Sequence, residues 1–387
     1  MTDVQGRECA FPPDELDRRL AALRRKLAEG RIDLLILTGP ENIFWVTGQQ
    51  TPGYYTFQAL FVTPDRPPFT VLRALEEMNF RANTRIEDVS LYLDDERPAE
   101  AVRRMLSERG LSNGAIAIEK RGWFLPITFY EELAAALPRI ADGSGLVEDL
   151  RAVKSPLELS FIEAAAGYVD AGMEAAYAAL APGQSENDLV AAMLSAAVSA
   201  GSEYLGMEPL VSSGPRSGVP HGTWRRRRLE RGDPVFLELA AAHNRYHAGL
   251  MRTAWLGRAP DPARDMMRVA QDGLDAGLEA LRPGRTGAEV HGAIQAVIDR
   301  AGLTNAYRKR SGYSLGISFA PDWGEWQVMS LYTGAERELE PGMVFHIPPA
   351  LRDYGVYTVG VSATAVVTEG APRVLSRVSR PLLEIGA

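Results

Sequence analysis

Glu238 is the residue of this sequence whose type and setting point most directly to chemistry. It lies inside the apolar run of residues 235–239, which is typical of a buried β-strand. A carboxylate in a buried strand is costly unless it pairs with a cation, binds a metal or takes part in a reaction. A structural ion pair with an arginine is the alternative to a functional carboxylate, and both interpretations stay open at this level.

Histidine chemistry must draw on five residues, because the sequence contains only five histidines. His221 lies on a loop between Pro220 and Gly222, a position that favours function over a core role. We predict that its imidazole shuttles a proton near neutral pH. His346, in a predicted strand, is the second catalytic candidate unless it only bonds the backbone. His247, beyond a predicted hairpin turn, is expected to assist substrate binding.

Two loops carry further candidates for substrate binding. The first is rich in proline and glycine and holds Asp322, Trp323 and Glu325. An indole face suits a cationic part of a substrate, and a carboxylate can pair with its charge. The alternative is a loop that its own tryptophan anchors. The second loop, within residues 42–58, has the aromatic character of a rim that closes over a ligand, unless it packs on its own core. Its candidate residues are Tyr54, Tyr55, Phe57 and Gln58.

The composition narrows the class of protein. Of 387 residues, 46% are hydrophobic and 24% are charged, as in ordinary globular enzymes, and the net charge of −8 favours neither nucleic acid nor an anionic membrane as a partner. The single cysteine, Cys9, excludes an intramolecular disulfide and a thiolate metal cluster. No run of about 18 apolar residues occurs, so we expect a cytoplasmic protein. We also expect its partner to be a small-molecule substrate.

The pattern of elements predicts two domains. Helical and strand patterns alternate over roughly the first third of the chain, which is typical of an α/β domain. Pro156, after Ser155 as a helix N-cap, marks the start of a second, α+β domain. The predicted domains are residues 1–153 and 154–387. The predicted elements of the first are helices at 14–29, 99–108 and 128–136 and strands at 32–38, 59–62, 70–72 and 115–118.

The second domain contains an internal repeat. Residues 182–190 lead a helix that ends near Gly201, and residues 283–290 lead another that ends near Gly302, with the same offset of 101 residues at both ends. A β-rich stretch follows each helix. Two similar halves would place a site at their junction. The strand at 235–239 then corresponds to residues 344–348, so Glu238 and His346 are expected to face one cavity.

These features together resemble the pita-bread family of creatinase, prolidase and aminopeptidase P, over nearly the whole chain. The resemblance implies a creatinase-like N-terminal domain and a catalytic C-terminal domain. The residues that carry it are Asn42-Ile43 with Thr47-Gly48, Arg151-x-x-Lys154-Ser155-Pro156-x-Glu158, Gly232-Asp233, Arg252-Thr253, Gly312-x-x-x-Gly316, Glu340-Pro341-Gly342-Met343 and Val367-Thr368.

The departures from the family pattern concern its metal ligands. Peptidases of this family bind two metal ions through two Asp, one His and two Glu. Only one of the five corresponding positions keeps a carboxylate here, which implies a protein without a metal or other cofactor. Those positions hold Glu238, Gly249, Tyr313, Pro348 and Ser362, with Ala363 beside the last.

The departures point to the metal-free branch of the family, which includes creatinase and ectoine hydrolase. That resemblance implies a proton-shuttling role for His221, a nucleophilic role for Glu238, and a hydrogen bond from Tyr313 to the substrate. It further implies a homodimer in which Tyr54, Tyr55, Phe57 and Gln58 complete the partner's site.

We therefore expect a metal-independent hydrolase of a non-peptide C–N bond in a small zwitterionic amide or amidine. Two other functions stay open. One is a metal-dependent Xaa-Pro peptidase or lyase on the same fold. The other is a non-catalytic pseudoenzyme that binds a partner through the emptied pocket.

Overall fold

The computed structural model describes residues 7–137 and 139–386, and the chain divides into two compact units, one up to Arg151 and one from Ala152 onwards. Within the described residues, no helix has both the length and the apolar character that a bilayer crossing requires.

The first unit is built on a mixed six-stranded sheet. Its strands are β1 Leu34–Leu37, β2 Gln58–Val62, β3 Phe69–Arg73, β4 Asp88–Tyr92, β5 Ile116–Ile118 and β6 Ile140–Asp142. They lie in the order β4-β3-β2-β1-β5-β6, with β1 parallel to β5 and antiparallel to β2. The helices are α1 Pro13–Glu29, α2 Pro40–Thr47, α3 Glu77–Asn83, α4 Pro98–Glu108, α5 Ile127–Ala136 and α6 Leu146–Arg151. The predicted α/β class of this unit is confirmed.

Over residues 152–386, the second unit combines four α-helices with three sheets. The helices are α7 Pro156–Ala179, α8 Glu186–Ala200, α9 Asp261–Ala280 and α10 Gly287–Arg300. The strands are β7 Leu210–Ser213, β8 Pro234–His243, β9 Tyr246–Leu256, β10 Gly312–Ser314, β11 Ser330–Leu331, β12 Val344–Ile347, β13 Ala350–Asp353, β14 Tyr357–Gly360, β15 Ala363–Val366, β16 Arg373–Val374 and β17 Leu383–Ile385. The sheet orders are β17-β9-β8-β7, β11-β10-β12-β15-β16 and β13-β14.

The internal repeat is visible in matching hydrogen bonds. Ser185 caps α8 and Thr286 caps α10, and each side chain accepts a bond from the backbone N–H three residues on, at 3.2 Å. The amide of Gly183 bonds Leu229 and, 101 residues later, the amide of Gly284 bonds Leu339. Each half therefore fastens the loop before its second helix to the segment that leads into its central strand.

The hairpin of β8 and β9 sets the position of Glu238. Its two-residue turn, Asn244-Arg245, has positive φ at both residues (46° and 63°), as in a type I′ turn. The register places Glu238 between Met251 on β9 and Leu210 on β7. Because side chains alternate along a strand, Glu238 shares a face with its neighbours Phe236 and Ala240. That face packs in one cluster with Leu210, Met251, Trp323 and Ala350.

The matched helix caps give the first prediction. Ser185→Ala and Thr286→Ala should each lower the free energy of unfolding by about 1 kcal/mol, because each leaves a helix N–H without its acceptor. Urea denaturation monitored by circular dichroism measures the loss. Ser160→Ala, on the exposed side of α7, is the control and should change stability by less than about 0.5 kcal/mol. A wild-type stability in both cap variants would show that these caps do not hold the repeat.

Candidate active site

Glu238 is a buried carboxylate without a bonded partner. Its side chain is 9% exposed. Among residues 7–137 and 139–386 it makes no hydrogen bond, and no cation approaches within the 4 Å of an ion pair. Burial raises the pKa of Glu238, while the positive charges of Lys309 and Arg352 oppose that rise. The structure therefore does not show the structural ion pair that the sequence left open.

Two cations stand near this carboxylate without bonding it. Burial lowers the pKa of Lys309 to about 8, with the charge of Arg352 acting in the same direction and Glu238 opposing it. Burial also lowers the pKa of Arg352, whose guanidinium lies on β13. Neither cation forms an ion pair with any residue in the described ranges. Neither Lys309 nor Arg352 was predicted from the sequence. The basic run Arg308-Lys309-Arg310 before β10 was a signal for Lys309.

His221 and Asp322 belong to the same charged group. His221 is exposed and follows the short 3-10 turn Gly214–Gly218, with a φ of 55°. Partial desolvation and the charge of Arg352 lower the pKa of His221, and Asp322 opposes them. Burial raises the pKa of Asp322, whose Oδ1 accepts a bond from the Gly324 amide at 3.0 Å. The structure thus brings His221 and Asp322 into electrostatic range of the cations that surround Glu238.

A buried series of hydrogen bonds lies beside this charged group. The Trp323 indole N–H donates to the Tyr313 hydroxyl at 2.8 Å, and that hydroxyl bonds Nδ1 of His346 at 2.9 Å. The other ring nitrogen of His346 bonds Ser362 Oγ at 2.8 Å, and Oγ accepts the Met251 amide at 2.7 Å. Burial lowers the pKa of His346 to about 3, so its ring is neutral at physiological pH. Burial raises the pKa of Tyr313, and the negative charge of Glu238 raises it further.

Two members of this series of hydrogen bonds, Tyr313 and Ser362, stand at positions where the resemblance placed metal ligands. Gly249 offers no side chain, and a Cβ added there would lie 3.5 Å from the His346 ring. Tyr313 and Ser362 are neutral oxygens that hydrogen-bond His346, and Pro348 has no side-chain donor. The described residues contain no group of three His, Cys, Asp or Glu side chains that could hold a metal ion. This donor set does not fit a divalent cation, which needs several hard, mostly charged ligands.

Three of the predicted substrate-binding residues already have hydrogen-bond partners within the chain. His247 Nδ1 bonds the Arg245 carbonyl at 2.8 Å and Nε2 accepts the Gly206 amide at 3.1 Å. Glu325 pairs with buried Lys154 at 2.7 Å and accepts the Ile317 amide. Trp323 is 1% exposed and its N–H is used by Tyr313. Substrate binding through the polar atoms of these side chains would require breaking these bonds.

The predicted rim residues lie in the first unit. Tyr54 meets Phe124 edge-on with ring centroids 5.4 Å apart, Phe57 stacks on Phe129 at 4.0 Å, and Gln58 is buried in β2. Tyr55 is 75% exposed. Their predicted part in a partner subunit's site stays a prediction.

Fold and site define the class. A mixed α/β domain followed by a duplicated helix-and-sheet domain, with a charged site on the sheets of the second, is the arrangement of a pita-bread hydrolase. Residues 160–369 match metallopeptidase family M24, and residues 19–153 match the creatinase/prolidase N-terminal domain. The chain belongs to metallopeptidase family M24.

Similar proteins agree with this assignment. The chain is 29% identical to ectoine hydrolase of Halomonas elongata, over 96% of this chain and 98% of that protein. It is 30% identical to an uncharacterized hydrolase/peptidase of Sinorhizobium fredii, over 97% and 98%. In fold it matches dipeptidase PepE of Mycobacterium ulcerans with a TM-score of 0.84 at 23% identity, over 97% and 99%. The family recognised from the sequence is confirmed, and the chain is an enzyme that hydrolyses C–N bonds.

The buried histidines give a pH prediction. His346 and His247 both have a pKa of about 3 in the folded chain, against about 6.5 when unfolded. Below pH 6.5 the unfolded chain binds protons that the folded chain does not, so stability should fall with pH from 6.5 towards 3. Each ring contributes up to about 1.4 kcal/mol per pH unit. Urea denaturation at several pH values should show a slope smaller by about one proton in His346→Gln. An unchanged slope would mean that His346 is protonated in the folded enzyme.

Proposed function

We propose that this enzyme is a metal-independent hydrolase of a non-peptide C–N bond in a small zwitterionic amide or amidine. The observation that carries the proposal is the unpaired carboxylate of Glu238, buried on β8 and opposed by cations that do not bond it. A structural carboxylate at such a place would be neutralised by a bonded partner. One that keeps its lone pairs free is available to a reacting molecule.

Glu238 is best suited to act as a general base. Its raised pKa makes it a stronger base than an exposed carboxylate. In the step we propose, Glu238 takes a proton from water as the water oxygen bonds the substrate carbon. The C–N bond then breaks, and the leaving nitrogen takes up the proton that Glu238 accepted, which His221 shuttles to it, so that both side chains return to their starting state. As the water oxygen bonds the substrate carbon, negative charge develops on the oxygen or nitrogen that stays attached to that carbon. The positive charge of Lys309 stabilises this negative charge.

The charges of the site suit a ligand that carries both signs. Glu238 and Asp322 supply negative charge, and Lys309, Arg310 and Arg352 supply positive charge within range of them. A cationic amidine is favoured beside the carboxylates, and an anionic group beside the cations. Ectoine, on which the Halomonas relative is named to act, has this combination and is the first substrate to test.

The competing functions predict different behaviour. A metal-dependent Xaa-Pro peptidase or lyase needs ligands that the positions of Gly249, Pro348 and Ser362 do not supply. A binding pseudoenzyme does not need a free base at position 238, and it would bind ligands without turning them over.

A substrate panel tests the reaction class. The purified enzyme is assayed with ectoine, hydroxyectoine, creatine and a Xaa-Pro dipeptide, with and without a chelator, and its metal content is measured by elemental analysis. We expect turnover of a zwitterion that chelation does not change, since no step uses a metal. Dipeptide cleavage that chelation abolishes, with metal bound stoichiometrically, would refute the proposal. Binding without turnover of any compound would favour the pseudoenzyme.

Glu238→Gln tests the base. Activity should fall by about 10² to 10⁴-fold while the substrate still binds, because the amide cannot accept a proton. The wild-type kcat/KM should rise with pH through the raised pKa of Glu238, and that limb should be missing from the residual activity of the variant. Glu208→Gln, at an exposed carboxyl ahead of β7, is the matched control and should leave activity unchanged.

Stability separates a catalytic carboxylate from a structural one. A raised pKa means that the charged form is disfavoured in the folded chain, so at pH 7 Glu238→Gln should be at least as stable as the wild type. A lower Tm for Glu238→Gln, with Glu208→Gln unchanged, would show instead that the carboxylate holds the fold together.

A further inference from the structure

A pair of unsatisfied polar groups faces the site from the hairpin of β13 and β14. The register of that hairpin sets Arg352 directly opposite Thr358, so the two side chains lie on one face. Leu351 and Val359 alternate with them and pack into the main core of the second unit. Ala350, which shares the face of Arg352, packs instead with Met251 in the cluster that includes the neighbours of Glu238.

Each of the two side chains carries a polar atom that is buried without a hydrogen-bond partner. Arg352 Nε and Thr358 Oγ1 are covered from solvent and bonded to nothing in the part of the chain that the structure describes. The one bond of the Arg352 guanidinium within those residues is a long one, from Nη1 to the Ala350 carbonyl at 3.5 Å. Buried polar groups in folded proteins are satisfied as a rule, so this pair is arranged for a partner from outside the chain.

The charge of the partner follows from its surroundings. Lys309, Arg310 and Arg352 together carry one more charge than Glu238 and Asp322 carry between them, so the site has room for one anion. A guanidinium binds a carboxylate through two parallel bonds in its own plane, and a hydroxyl opposite can donate a third.

We propose that Arg352 and Thr358 bind the carboxylate of the substrate and so hold its C–N bond at Glu238. This inference rests on the proposed function and narrows it: the substrate class is small carboxylic acids that also carry an amide or amidine. Arg352 is then the residue that selects for the acid, and Glu238 the one that acts on the carbon.

A carboxylate probe tests the binding site without any turnover. Propionate and the neutral propan-1-ol are titrated against the wild type and followed by saturation-transfer NMR. Saturable binding of propionate alone is expected. Arg352→Met and Thr358→Val should each weaken propionate binding, the first by about 10-fold or more, the range of a charged hydrogen bond. Arg308→Gln, which removes an exposed neighbouring charge that stacks on Tyr354, should bind as the wild type does. Absence of saturable binding in the wild type, or wild-type binding in Arg352→Met, would overturn the inference.

Two further readouts separate this site from structural effects and from the reaction. Thr358→Val should not lower the Tm, because it removes a hydroxyl that bonds nothing it would leave behind; a lower Tm would mean a structural role. With a zwitterion that the enzyme hydrolyses, Arg352→Met should raise KM far more than it lowers kcat, and Arg352→Lys should restore part of the loss. If the enzyme hydrolyses a substrate with KM unchanged in Arg352→Met, this inference fails while the proposed function stands. If propionate binds through Arg352 but no compound is hydrolysed, the proposed function fails while the anion site stands.

Discussion

The constraint on which the site depends is the cost of an unbonded charge inside a sheet. Glu238 is held on β8 by a register that its hairpin fixes at the Asn244-Arg245 turn, and neither strand beside it offers a donor side chain at the paired positions. Removing a carboxylate from water without a partner is unfavourable, and folding tolerates it here because cations stand within electrostatic range. The same cations are themselves desolvated, and within the described residues they form no ion pair. The charges of this group therefore offset one another without direct bonds, and each remains available to bind a ligand.

The neighbouring hydrogen-bond chain shows how the fold is stabilised where the family's peptidases place metal ligands. The His346 ring lies against the bare Cα of Gly249 and is bonded on both nitrogens by Tyr313 and Ser362. Trp323 completes the chain from the loop that Glu325 and Lys154 hold. The polar side-chain atoms of Trp323, Tyr313, His346 and Ser362 bond one another or a backbone amide, so their hydrogen bonds are made without a metal ion. We assign the reaction to the charged groups around Glu238, beside this series of hydrogen bonds.

The sequence predicted the architecture well because the patterns that carry it are local. Helix caps and the β8–β9 hairpin depend on neighbours in sequence, and the 101-residue repeat is a match between two such local patterns; the structure confirms each. Strands β4 and β6 were missed, since one is short and half exposed and the other has three residues with one buried. Among the candidate site residues, Glu238 could be singled out from the sequence because a carboxylate inside an apolar run is conspicuous.

The rest of the site could not be predicted, because it depends on contacts between distant elements. Arg352 follows an apolar residue in a short strand, and only the folded structure shows that it lies opposite Thr358 and that its Nε is buried without a partner among the described residues. Lys309 is one of three consecutive basic residues, and its burial is a property of the folded unit. His247 and Glu325 were expected to bind substrate because of their side-chain types. Their partners, the Gly206 amide and Lys154, come from distant parts of the sequence and could not be read from it.

The most direct test is a crystal structure of Glu238→Gln with a zwitterionic substrate bound, recorded with anomalous scattering to detect metal ions. We expect the reacting carbon next to the residue 238 side chain and the substrate carboxylate on Arg352. We expect no anomalous peak near Gly249, Tyr313 or Ser362. A metal ion ligated at those positions, or a substrate whose C–N bond lies away from residue 238, would contradict these expectations.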